Sequence, residues 1–79
     1  MNREEAFQNL ALVVSDVAAV AVTDITEDQT FLEDLDIDSL ELVELGVTVE
    51  EKFSVKIPDD VLGTLKTVGA MADFIAKQP

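Results

Sequence analysis

The side chains with chemistry to offer are concentrated in one short run. "DLDIDSL", Asp34 to Leu40, sets carboxylates at Asp34, Asp36 and Asp38 on alternate residues and follows them with the hydroxyl of Ser39. Three kinds of chemistry use such a set. A calcium loop takes oxygen ligands at its first, third and fifth positions, a hydrolytic pair divides acid and base roles between two carboxylates, and a serine at a helix start offers a point of covalent attachment.

Spacing decides against calcium. An EF-hand loop also needs glycine at its sixth position and a bidentate glutamate at its twelfth. Counted from Asp34, those positions hold Ser39 and Leu45, so no metal ligands are assigned. The hydrolytic reading lacks its usual companions. Histidine and cysteine are both absent, which removes the imidazole base, the thiolate nucleophile and the common zinc ligand sets. A chain of 79 residues also offers little concave surface in which two acids could acquire different pKa values. The aspartates read as solvated carboxylates, and no catalytic residue is assigned. Ser39 stays open between two readings, an attachment point and an ordinary helix-start or surface serine.

The elements that would position this run follow from periodicity. Phe7, Leu10, Ala11, Val14, Val17 and Ala18 recur at three- and four-residue steps and predict a first helix from Arg3 to about Val20. A long connection follows from Thr23 to Ile37, expected to stay ordered by tucking Ile25, Phe31, Leu32 and Leu35 into the core, with room for a short helical turn between Phe31 and Leu35. "DSLE" predicts the start of helix two, with Asp38 capping the first turn and Glu41 reaching back, so that Ser39 is the first helical residue. Leu42, Leu45, Val49 and Phe53 give that helix its inward face, to about Phe53. "IPDDVLG" predicts a short third helix opened by Pro58 and Asp59. Thr67 reads as the cap of a last helix with Val68, Met71, Ala72 and Ile75 inward. The expected fold is all-α: a small four-helix bundle with a short third helix and a long loop between helices one and two.

Composition bounds the function. The chain has 48% hydrophobic residues, too many for a disordered tail, and neither a signal peptide nor an apolar run long enough to span a bilayer. A soluble, cytoplasmic protein of one domain, residues 1–79, is expected, without membrane insertion. The net charge of -12 argues against nucleic acid, which needs a basic face. Thirteen carboxylates lie between Asp24 and Asp60 against Lys52 and Lys56 alone, a net of -11 in that segment. The middle of the chain is therefore suited to basic protein surfaces, although acidic residues also serve plain solubility.

Helix two has a second face. Leu40, Val43 and Val47 recur beside Glu41, Glu44, Glu50 and Glu51, mixing apolar contact with negative charge. Partial packing into the core is the other reading of those three apolar residues.

In sequence the chain resembles a discrete acyl carrier protein of a type II fatty acid or polyketide synthase. "DLDIDSLELVEL" is similar to that family's Asp-Ser-Leu modification motif, "EEKFSVKIPDD" to the segment that closes helix two and opens the short third one, and "LKTVG" to the start of the last helix. The resemblance implies a single acyl carrier domain over residues 1–79. It implies that Ser39 receives phosphopantetheine covalently from coenzyme A, through a phosphopantetheinyl transferase, and that the arm's thiol carries acyl intermediates as thioesters. A chain without cysteine needs such an imported thiol. The protein would then be no enzyme. It would be a monomeric carrier and a substrate of acyltransferases, ketosynthases, reductases and dehydratases with basic docking patches. The implied docking residues are Asp38, Leu40, Glu41, Val43, Glu44, Val47, Glu50 and Glu51. Fatty acid biosynthesis is the expected pathway, with polyketide synthesis as the alternative. A non-modified acidic adaptor or calcium-responsive binding protein is the reading from another class.

Two residues depart from the family pattern. Asp36 stands where many members have glycine, so a stiffer or differently shaped loop is expected before Ser39. Gly46 interrupts helix two, where glycine costs on the order of 1 kcal/mol relative to alanine. It either leaves room beside an interior acyl chain or is a tolerated defect.

Overall fold

A computed structural model describes all residues, 1–79. Four helices form: α1 Arg3–Ala18, α2 Ser39–Phe53, α3 Asp59–Leu62 and α4 Val68–Lys77, with one 3-10 turn at Val22–Asp24 in the connection between α1 and α2. The fold is the expected all-α bundle with a short third helix.

Local chemistry sets the boundaries. The Asn2 side chain accepts from the Glu5 amide, and Glu4 and Glu5 occupy the first turn of α1, where carboxylates meet the positive end of the helix dipole. α1 ends two residues earlier than the hydrophobic pattern suggests. Ala19 turns into the left-handed region, φ 59, while its amide and that of Val20 donate to the Ser15 carbonyl, an αL helix stop. Ser54 closes α2 in the same way, φ 55. Thr67 caps α4 by accepting from the Ala70 amide. Pro58 is the residue before α3 rather than its first residue, and its carbonyl accepts from the Val61 and Leu62 amides.

α1 packs against both α2 and α4. The core joins Ala6, Leu10 and Val14 of α1, Leu45 and Val49 of α2, and Val68, Met71, Ala72 and Ile75 of α4. No polar or charged residue is buried in it, so its cohesion is apolar burial, about 25 cal/mol per Å² removed from water.

The long connection is ordered by contacts that local pattern does not reveal. Thr30 and Thr67 form an isolated antiparallel bridge. Around it the Phe31 amide donates to the Lys66 carbonyl at 3.0 Å, the Val68 amide to Gln29 at 3.1 Å and the Gly69 amide to Glu27 at 2.8 Å. The last contact requires glycine, because a Cβ on residue 69 would stand 2.9 Å from the Glu27 carbonyl oxygen. Arg3 then ties the two ends of the fold. Its guanidinium donates to Asp73 Oδ1 at 2.5 Å, Glu27 Oε1 at 2.6 Å and the Gly69 carbonyl at 3.3 Å.

Ile25, Phe31 and Leu35 of the connection are buried as expected, and Ile37 joins them. Leu32 is the exception: it was expected inward and is 55% exposed. The Thr30 carbonyl accepts from both Asp34 and Leu35, making one helical turn. On such a turn Phe31 and Leu35, four residues apart, share the inner face, while Leu32, rotated by about 100° from Phe31, lies on the solvent side.

Candidate functional site

The run Asp34–Leu40 is built by that turn and by the start of α2. Asp34 folds back on Thr30, its Oδ2 accepting from the Thr30 amide at 2.8 Å. Asp36 takes the left-handed conformation, φ 53, and Ile37 anchors in the core with its amide on the Phe31 carbonyl at 2.9 Å. The chain must turn with positive φ here, and aspartate is among the few non-glycine residues that tolerate it.

At α2 the capping box is complete. Asp38 Oδ1 accepts from the Glu41 amide at 2.8 Å, and Glu41 Oε1 accepts from the Asp38 amide at 3.1 Å. These two carboxylates do the capping, so the Ser39 hydroxyl is not consumed by it. Ser39 is the first residue of α2 and is exposed. First-turn amides of a helix lack intrahelical partners, and here the box supplies one for Asp38 and one for Glu41, leaving those of Ser39 and Leu40 to solvent. A phosphodiester on Ser39 Oγ would therefore lie beside unpaired donors at the positive end of a 15-residue helix. The surrounding aspartates disfavour a free anion there but not one held by a covalent bond. Exposure, free donors and an uncommitted hydroxyl fit a phosphopantetheine group.

The outer face of α2 is open. Leu40 is 69% exposed, Val43 53% and Val47 49%, which rules out partial core packing for these three. Asp38, Glu44 and Glu51 are exposed beside them, while Glu41 and Glu50 are half-buried. Glu41 serves the cap, and Glu50 Oε2 accepts from the Ile57 amide at 2.7 Å. The expected docking residues thus lie on one helix, but not all their carboxylates are free. The role of Ile57 in this arrangement has no signature in the sequence beyond an apolar residue before Pro58.

Gly46 is buried in the wall that α2 presents to α3. A Cβ at this position would meet Leu62 Cδ2 at 3.2 Å. The room left by glycine is taken by the Leu62 side chain, so Gly46 is neither an idle defect nor an open space. Between Val43, Gly46, Val47, Glu50, Ile57, Asp59 and Leu62 remains a cavity of about 40 Å³.

An uncommitted hydroxyl exposed at a helix start, beside an acidic and apolar helix face, is what a small helical carrier with a covalently attached group requires. Residues 8–75 match the family described as "Phosphopantetheine attachment site". The acyl carrier protein of Acidothermus cellulolyticus is 45% identical over 96% of this chain and 90% of its own length, and that of Thermobifida fusca 41% identical over 96% of both. The meromycolate extension acyl carrier protein of Mycobacterium leprae is 40% identical over 98% of this chain and 67% of its own. The solved structure of the acyl carrier protein from Enterococcus faecalis superposes over 100% of both chains with a TM-score of 0.84 at 29% identity. The chain belongs to the acyl carrier proteins: it carries acyl groups as thioesters on a covalently attached phosphopantetheine and is not itself catalytic. No helix is long and apolar enough to cross a membrane.

Proposed function

We propose that Ser39 is the attachment residue and that residues 1–79 act as one acyl carrier domain. The observation that carries this is the position of the Ser39 hydroxyl, exposed on the first residue of α2 and left free by the Asp38–Glu41 capping box. A partner transferase with bound magnesium activates this hydroxyl. Its oxygen forms the bond to the phosphorus of the pantetheine side of coenzyme A, the pyrophosphate bond breaks, and adenosine 3′,5′-bisphosphate leaves while the transferase takes the serine proton.

The working cycle is fatty acid biosynthesis in the cytoplasm. Relatives named simply as acyl carrier proteins and others named for meromycolate extension support a role in lengthening acyl chains. Partners are the acyltransferases, ketosynthases, reductases and dehydratases of such a cycle, each with a basic patch for the face of Asp38, Leu40, Glu41, Val43, Glu44, Val47, Glu50 and Glu51. Opposite charge speeds their encounter without requiring tight binding, as a shuttle needs.

Intact mass after co-expression with a phosphopantetheinyl transferase tests the reading. The wild-type chain gains one phosphopantetheinyl group and Ser39→Ala gains none. An unmodified wild type, or the same gain on the alanine variant, overturns it. Mass spectrometry of the cargo on chain purified from its own cell then identifies the pathway.

A further inference from the structure

The side of α2 turned away from the attachment serine borders a second surface. Thr48 follows Ser39 by nine residues, two and a half turns, so the two stand on opposite sides of that helix. On the Thr48 side, α1 and α2 enclose an open groove of about 750 Å³, walled by Leu12 and Asp16 of α1, by Val20 just beyond it, and by Thr48 and Lys52 of α2. Its α1 rim is apolar. Leu12 is 52% exposed, and α1 ends inside an unbroken apolar run from Val17 to Val22, of which Ala19, Ala21 and Val22 are exposed. On a chain of net charge -12, solubility alone would place polar residues there. Exposed apolar patches rimmed by charge mark contact surfaces.

The charges of the groove select its occupant. The docking residues of α2 offer carboxylates only and repel a second copy of the chain, whereas the groove offers one charge of each sign. Both ion pairs of the fold belong to Arg3. Asp16 and Lys52, exposed in the walls of one groove, are therefore paired neither with each other nor with any other side chain. A twofold axis satisfies both at once. Asp16 of each copy faces Lys52 of the other, and Leu12 of each copy seats in the other's groove, the reciprocal pattern of an isologous contact.

We infer that the chain forms a weak twofold dimer through the α1–α2 groove, held by the apolar surface of Leu12 and Val20 and registered by two Asp16–Lys52 pairs. Net charge opposes the approach of two copies, so the dilute chain is monomeric. Salt removes that opposition, because the Debye length falls from about 10 Å at 0.1 M to about 3 Å at 1 M, while apolar burial persists. Self-association therefore strengthens as salt rises, opposite in sign to docking on a basic partner. Both Ser39 hydroxyls stay outside the contact, so the pair presents two attachment sites together.

Sedimentation equilibrium of the full chain, on the order of 1 mM where contacts below standard interface size become populated, tests this with a charge swap. Wild type shows a monomer–dimer equilibrium whose Kd falls several-fold between about 0.1 M and about 1 M sodium chloride. At the lower salt, Asp16→Lys and Lys52→Asp each weaken self-association by about tenfold, because like charges then meet at both pairs. An equimolar mixture of the two variants restores it, since the lysines of one copy face the aspartates of the other. Net charge does not reproduce that pattern: Asp16→Lys lowers the negative charge by two and on that ground alone would strengthen the dimer. Leu12→Asp abolishes association at both salt concentrations. A wild type that stays monomeric throughout overturns the inference. A dimer indifferent to Leu12→Asp, or a mixture that associates no better than its components, overturns it equally, the first by placing the contact elsewhere and the second by removing the reciprocal pairing.

Discussion

Leu62 Cδ2 lies 3.2 Å from where a Cβ on Gly46 would stand, so α2 and α3 meet through the one position of α2 that has no side chain. A glycine inside a helix sacrifices stability for close approach, and Leu62 is what approaches.

Substitutions at Gly46 separate those two effects. Alanine recovers about 1 kcal/mol of helix propensity, and the contact it creates is with the flexible end of a half-buried leucine on a four-residue helix. Gly46→Ala is therefore expected to be stabilising by about 0.5 kcal/mol in urea unfolding, with Leu62 giving by a few tenths of an ångström. Gly46→Leu has no such room and should cost about 1–3 kcal/mol by displacing α3. Equal stability of the two variants would show that Leu62 does not fill the notch in solution.

Arg3 joins the start of α1 to the connection through Glu27 and to α4 through Asp73. Its hydrogen bond to Asp73, ahead of its contacts with Glu27, raises the guanidinium pKa. A raised pKa on a cation means that its contribution is complete below the unfolded value and is lost only as pH climbs into the extreme alkaline range. Arg3→Ala should therefore cost about 1 kcal/mol, discounted for a side chain one-third exposed, and its guanidinium should add no pH dependence between about pH 6 and about pH 8. Salt screens the pairs, so the difference from wild type should shrink in about 1 M sodium chloride. Thermal melts at the two salt concentrations check both statements.

Asp36 holds a positive φ of 53 two residues before α2. Aspartate tolerates this conformation, glycine adopts it freely but loses more chain entropy on folding, and the two effects nearly cancel. Asp36→Gly should change stability by less than about 0.5 kcal/mol, whereas Asp36→Val, with a β-branched side chain in the left-handed region, should cost at least about 1–2 kcal/mol. Denaturant unfolding of the pair distinguishes a conformational requirement from an effect of removing charge, which both variants share.

These positions mark the border of what the sequence makes legible. α2 is read to the residue because its start depends on the local pair Asp38 and Glu41, and its inward face on the spacing of Leu45 and Val49. Thr67 and the buried face of α4 follow for the same reason. Arg3 pairs with Asp73 across 70 positions, and Thr30 bridges to Thr67; neither partner leaves a periodic trace. The inward reading of Leu32 fails because hydrophobicity alone does not report the turn closed on the Thr30 carbonyl. Ser39 and its cap are local and visible, while the engagement of Glu50 by Ile57 depends on how the chain returns after α2 and emerges only with the fold.

Because Asp38 and Glu41 make the cap, the serine between them is dispensable for folding. Ser39→Ala should alter stability by less than about 0.5 kcal/mol, within the range of ordinary surface substitutions. Asp38→Ala, which leaves the Glu41 amide without its acceptor, should cost about 1 kcal/mol. Unfolding curves of the two variants, measured beside their phosphopantetheine content, separate loss of the attachment oxygen from loss of the helix start. A Ser39→Ala chain as unstable as Asp38→Ala would mean that the hydroxyl itself caps α2.

Glu44 gives the cleanest test of docking by charge. Its neighbours Glu41 and Glu50 hold the cap and Ile57, so reversing either would mix lost binding with altered structure. The Glu44 side chain is exposed and has no hydrogen-bond partner of its own; beyond the helix ladder, only its backbone carbonyl is engaged, by the Thr48 hydroxyl. Glu44→Lys should leave the melting temperature near that of wild type and slow association with a basic partner by about tenfold at low salt, chiefly through the on-rate. Raising ionic strength shortens the Debye length from about 10 Å at 0.1 M to about 3 Å at 1 M, so the two proteins should converge there. Truncating Leu40 or Val43 to alanine acts differently, since lost apolar contact in the bound state appears as faster dissociation that salt does not restore. Stopped-flow association of wild type, Glu44→Lys and Leu40→Ala with one ketosynthase at two salt concentrations resolves the contributions. On-rates that ignore both salt and the Glu44 reversal would place the partners on another face of the bundle.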